Sequence, residues 1–142
     1  MTWLLAPLLI AATWHVEQCQ GTVFGYPGDR LAGGRALWLR RRVRPGDVGI
    51  AHRSLELGSS VLVLNERTRR AIVVRVIDRG PYGATVDGQW INYAPRYRTQ
   101  HRLTRKAGRG RIRYRGCVDL TPRAAKLLGH NGRERVVLFW RR

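Results

Sequence analysis

Short apolar, β-branched runs broken by Gly, Pro and charged clusters dominate the chain, a pattern that predicts strands and turns. Ser60–Asn65 (SVLVLN) and Ala71–Asp78 (AIVVRVID) are the clearest strands, and the polar Glu66–Arg70 between them fits a hairpin loop. Gly21–Tyr26 (GTVFGY) reads as the first strand and Arg135–Trp140 (RVVLFW) as the last. Ala36–Val43 alternates apolar residues with arginines, whereas Pro27–Gly34 and Arg44–Asp47 are turn-rich. Apolar residues on both faces of the strands point to a closed, filled barrel rather than a half-wet open sheet. One helix interrupts the pattern. Thr121 is its expected N-cap, Pro122 its first residue, and Gly129 its stop. Ala124, Leu127 and Leu128 fall on one face of it.

At 142 residues the chain has room for one domain with one core. With 27 Lys and Arg against 9 Asp and Glu, its formal net charge is +18. A surface so positive attracts polyanions: nucleic acid, an acidic membrane face, or an anionic wall polymer. Nearly all of that charge is arginine, the only lysines being Lys106 and Lys126. Genome base composition is an equal explanation for the excess, though not for its clustering. The cluster is 84–116, which holds nine basic residues and one acid, Asp87. Trp90, Tyr93, Tyr97 and Tyr114 are interleaved with it. A stretch of this length without clear periodicity is a functional loop or a solvated variable insertion. Arginine beside aromatic rings suits stacking on sugars or bases.

Met1–Ala12 (MTWLLAPLLIAA) is too short to cross a bilayer and suits the core of a secretory signal, although no basic residue precedes it. A misplaced start or a short apolar arm packed on the barrel are the alternatives. Residues 1–20 are therefore read as a leader or arm, and 21–142 as the barrel domain. The two cysteines, Cys19 and Cys117, allow a single intramolecular disulfide in an exported chain, or two buried thiols otherwise. Neither their spacing nor that of the histidines suggests zinc or another metal.

Three ordered elements carry more specific information: Ala51-His52-Arg53 followed by Gly58; Asp78-Arg79-Gly80-Pro81-Tyr82; and Asp119-Leu120-Thr121 with Ala124-Ala125. In this order they resemble the rare lipoprotein A-like (RlpA-like) double-psi β-barrel family, over roughly Gly21 to Trp140 apart from the basic insertion. The resemblance implies a mainly β fold. It would be a six-stranded double-psi β-barrel with one short helix after Asp119, here carrying a long basic insertion. It also implies a groove that binds polysaccharide. Family members resemble enzymes that cleave the glycan strand of peptidoglycan, and relatives include lytic transglycosylases and the first domain of expansins, some of which loosen polysaccharide without cutting it. This chain departs from the pattern at Glu56-Leu57, in a hairpin without an Asn-Gly turn, and in the length of the insertion.

Cleaving a glycosidic bond requires an acid for the leaving oxygen. A lytic transglycosylase manages with one, because the sugar's own 6-hydroxyl attacks and no water is consumed. Asp78 is the first candidate for that acid, Asp119 a neighbour that raises its pKa or a second carboxylate, and His52 a hydrogen-bonding partner for acid or substrate. Tyr82 and Trp90 offer stacking faces, and Arg53 and Arg79 bind anionic groups or pair with the aspartates. Each has a plainer reading: Asp78 as a turn former, Asp119 as support for the helix N-terminus, His52 as a structural residue. The expectation is an exported, monomeric protein, cellular or phage-encoded, that acts on peptidoglycan or another anionic wall glycan. It needs no cofactor and has no transmembrane span. A non-catalytic wall-binding module is the alternative, and nucleic-acid binding a distant third that leaves the barrel motifs unexplained.

Overall fold

The computed structural model describes residues 13–26, 35–80, 83–86, 89–92, 112–114 and 117–141. Six strands close a barrel: β1 (Trp14–Val23), β2 (Gly49–His52), β3 (Ser60–Asn65), β4 (Ala71–Asp78), β8 (Val118–Leu120) and β9 (Glu134–Arg141). Between β4 and β8 in sequence, β5 (Gly83–Val86), β6 (Gln89–Asn92) and β7 (Ile112–Tyr114) form a separate antiparallel sheet. The helix α1 (Pro122–Leu128) follows β8.

Around the barrel the order is β1-β8-β2-β4-β3-β9, with β9 returning to β1. The pairs β1/β8 and β2/β4 are parallel, and the others antiparallel. Parallel neighbours cannot be joined by a tight hairpin. β2 therefore reaches β4 by way of β3, and β1 reaches β8 only after most of the chain. These crossed connections, in a closed six-stranded barrel, fit the double-psi topology.

Period-2 alternation fills the interior. Val61 and Val63 of β3, Val74 and Val76 of β4, Val118 and Leu120 of β8, and Val136 and Leu138 of β9 are all buried in one cluster. Ala124, Ala125 and Leu128 of α1 complete it. Leu127, expected on that face, is instead exposed, because residues 124, 125 and 128 define the buried stripe. The expected caps are present: Thr121 Oγ1 accepts from the Ala124 N–H at 3.3 Å. Gly129 takes the left-handed conformation (φ 61°) that ends the helix, with the His130 N–H on the Ala125 carbonyl at 2.8 Å.

Two segments differ from the sequence reading. The first strand runs Trp14–Val23, starting ahead of Gly21. Ala36–Val43 is not a strand but a tight turn closed by an Ala36–Arg41 bridge, with Arg40 at φ 57°. Its alternating residues reflect a buried Ala36 and half-buried Leu39 and Val43, which pack with Phe24, Ala51 and Ile77 in a second cluster outside the barrel.

The β3–β4 hairpin also lacks an Asn-Gly turn, and Arg69 takes the left-handed slot (φ 62°). Buried Asn65 organises it. Its Nδ2 donates to the Leu128 carbonyl at 3.1 Å and to Glu134 at 2.9 Å, while its Oδ1 accepts from the Arg67 N–H at 3.1 Å. Thr68 Oγ1 and Arg67 add bonds of 2.6 and 2.7 Å to the carbonyls of Leu128 and Gly129. The hairpin thereby satisfies carbonyls that the end of α1 leaves open.

Candidate functional site

Ala51 is the centre of the arrangement. It pairs with Asp119 on the β8 side and with Asp78 on the β4 side. Cross-strand partners share a face of the sheet, and Val118 and Leu120 on either side of Asp119 are core residues. Asp119 therefore faces outward. Asp78 joins that face through an irregularity: Ile50 pairs with Val76, but Ala51 pairs with Asp78, leaving Ile77 as an extra residue. Without this bulge Ile77 would stand opposite Ala51 and Asp78 would turn inward. The two aspartates thus flank one small side chain, their backbones two strand spacings apart, about 9–10 Å.

Asp78 is 2% exposed. Its Oδ1 accepts the Leu37 N–H at 3.2 Å, from the turn that covers it. Burial pushes the carboxyl pKa above its ordinary value, against the backbone N–H groups of Arg79 and Leu37 and the Arg79 charge, which favour the carboxylate. Of the two causes open from sequence, burial or a neighbouring carboxylate, burial is the one that acts here. Asp119 is half-buried and accepts a hydrogen bond from the Thr22 hydroxyl, its partner across the parallel β1/β8 pair.

His52 lies at the end of β2, 5% exposed, one residue beyond Ala51. It pairs with the core residue Val118, so its ring projects to the face opposite the two aspartates. There Nε2 meets Glu17 Oε2 at 3.0 Å. Nδ1 accepts from the N–H groups of Ser54 and Leu55, at 3.1 and 3.2 Å. Two donors converging on Nδ1 fix the tautomer, and Nε2–H is the donor to Glu17. The imidazole holds a turn rather than touching Asp78. That turn also holds Arg79, whose Nη1 donates to the His52 carbonyl at 3.1 Å and to the Leu55 carbonyl, and whose charge is felt at Asp78. Arg53, next in the chain, is half-buried.

The structure therefore brings Asp78 and Asp119 to one face, sets Arg79 next to Asp78, and sends His52 to the other side. Tyr82 lies outside the described residues. Trp90 is on β6, its backbone paired with Thr85, and its side chain is likewise outside what is described. Sequence reasoning missed Glu17, Thr22 and the Leu37 N–H. Glu17 fell inside the segment taken for a leader or arm, and a backbone donor has no sequence signal.

Cys19 and Cys117 form a disulfide across β1 and β8, with Cα atoms 5.7 Å apart. Among the described residues one group of three metal-ligand types exists, these two sulfurs and the Glu17 carboxylate. With the sulfurs bonded to each other no thiolate is present, and the group offers a single carboxylate.

No family model matches the chain. Over 62 residues it is 44% identical to a Nostoc sp. protein named "Probable endolytic peptidoglycan transglycosylase RlpA". The match covers 42% of this chain and 16% of that protein, so the chain spans a small part of its relative's length. That likeness and the closed six-stranded barrel together fit the RlpA-like double-psi β-barrel. Among the described residues, no helix is long and apolar enough to cross a membrane.

Proposed function

We propose that this barrel acts on peptidoglycan and cuts its glycan strand as a lytic transglycosylase, with Asp78 as the acid. The observation that carries this reading is the bulge that sets Asp78 on the face of Asp119 while burial favours its protonated form. In the reaction Asp78 gives its proton to the glycosidic oxygen as the C1–O bond breaks. The 6-hydroxyl of the same sugar then bonds to C1 and returns its proton to the Asp78 carboxylate. The product carries a 1,6-anhydro end. Asp119, oriented by Thr22, supplies negative charge near the oxocarbenium-like carbon. Arg53 and Arg79 favour an anionic strand, in keeping with the net charge of +18. The relative's name and the disulfide support an exported protein working at the wall.

The test is product analysis. Purified protein incubated with peptidoglycan is expected to release 1,6-anhydro-muropeptides by mass spectrometry, and Asp78→Asn none. Equal release by the variant overturns the assignment.

One observation favours a second reading. Asp78 is closed over by the Leu37 turn, and an acid must meet the glycosidic oxygen. A non-catalytic module that binds or loosens wall glycan has no such need. It predicts salt-sensitive sedimentation with insoluble peptidoglycan that survives Asp78→Asn, without new chain ends.

A further inference from the structure

We propose that a groove over β3 and β4, lined in part by Ile77, the residue before Asp78, is a glycan subsite for a sugar that carries a carboxylate. This deepens the peptidoglycan reading and rests on it. The groove has a volume of about 350 Å³, within the range of small-ligand sites. Its lining includes Trp38, Val48, Val73, Arg75 and Asp47. Trp38 is 44% exposed and Val73 68%, so apolar surface is held open to solvent here without a covering element among the described residues.

The aromatic wall is built rather than incidental. Gly58 (φ 81°) leaves room for the indole to lie against the backbone, and a Cβ at that position would collide with Trp38 Nε1. The Gly58 carbonyl accepts from Arg75 Nη1 at 2.7 Å, and the guanidinium stands 5.6 Å from the Trp38 ring centroid. One glycine thus fixes both groups.

Charge identifies the occupant. Asp47 is taken up by Arg41, which grips both its oxygens at 2.7 and 2.8 Å. Arg75 donates to a carbonyl, and no carboxylate among the described residues pairs with it. Its fork is therefore available to a ligand carboxylate, which guanidinium groups bind in bidentate fashion. An indole beside it covers the apolar face of a pyranose ring. A strand bearing lactyl carboxylates offers both features at one residue.

Position ties the groove to the acid. The Leu37 N–H bonds Asp78, the Trp38 N–H donates to the Ile77 carbonyl at 2.9 Å, and Ile77 lines the groove. The groove therefore adjoins the turn that covers Asp78, and a sugar held on Trp38 would extend a strand past that turn.

Calorimetry with the full chain tests this on two soluble probes: peptide-free glycan strands that keep their lactyl carboxylates, and chito-oligosaccharides of equal length. Trp38→Ala is expected to weaken both by about tenfold or more, the loss of one stacking contact. Arg75→Gln is expected to weaken only the carboxylated strand, by about tenfold. Val73→Glu, at an exposed position that the fold tolerates, is expected to repel the carboxylated strand selectively. Folded variants that all bind like the parent overturn the subsite, and equal loss of both probes on Arg75→Gln overturns the carboxylate. If the parent releases anhydro products while the groove variants bind normally, the subsite fails and the lytic reading stands. If the groove variants lose binding but no protein makes anhydro ends, the lytic reading fails alone.

Discussion

Replacing Cys19 and Cys117 together by serine removes a cross-link between positions 98 apart in sequence. A loop of that size loses about 4.7 kcal/mol of chain entropy in the unfolded state when closed, at 25 °C. Measured values for native disulfides run about 2–5 kcal/mol, which sets the expected loss at the upper part of that range. A domain of this size holds about 5–15 kcal/mol in total, so the variant should be marginal. Unfolding entropy of about 2.1 cal/mol/K per residue converts the loss to a Tm drop on the order of 15 °C. Urea titration of parent and variant at pH 7, followed by far-UV circular dichroism, gives the difference directly. The m-value needs checking in the same experiment, because a more expanded unfolded state raises it. A loss under about 1 kcal/mol with unchanged m would refute the reasoning, since the cross-link would then constrain nothing that folding does not already order.

The remaining predictions concern pH. The folded pKa of Asp78 lies above its ordinary 3.8, so between the two values the native state holds a proton that the unfolded chain gives up. Its contribution to stability is fully present below 3.8 and is lost as pH rises through the folded value. Asp78→Asn should therefore match the parent at pH 3 and become the more stable of the two toward pH 7; a pH-independent difference in urea midpoints contradicts this. Glu134 behaves oppositely: Arg67, then Asn65 and the Asn131 N–H, hold it down at about 2. Its stabilisation is present above its ordinary 4.5 and is lost as pH falls through about 2. Glu134→Gln should be the less stable protein at pH 7, with the gap closing near pH 2 in thermal melts, and a gap that persists in acid would rule this out.

Much of the barrel was legible because its inner residues announce themselves. Val61 and Val63, Val74 and Val76, and Val136 and Leu138 alternate with wetter positions, and α1 carries both of its caps in sequence. β1 was harder because its pattern runs the other way. Trp14 and Val16 face solvent while Glu17 and Cys19 turn inward, so hydrophobicity points to the wrong face. Ala36–Val43 mimicked a strand because a turn packing on an outer cluster also needs spaced apolar contacts. Asp78 and Asp119 were identified by motif, but their shared face depends on a one-residue register shift that local sequence does not specify. His52 was singled out by motif, but the partners of its ring were not legible there. Which ring nitrogen is occupied, and by what, depends on Glu17, 35 positions away.

The stretch from Gly80 to Gly116 leaves the barrel directly after Asp78 and rejoins it at Cys117, where the disulfide ties β8 to β1. Both of its ends are thus anchored at the barrel. Lengthening such a span costs only about 0.6 kcal/mol for each doubling. Changes of length in its connecting loops are therefore cheap compared with changes in the barrel strands that carry the aspartates. Under the proposed peptidoglycan reading, exchanging this stretch between related barrels should change glycan preference in a sedimentation assay; identical preference after exchange would refute it.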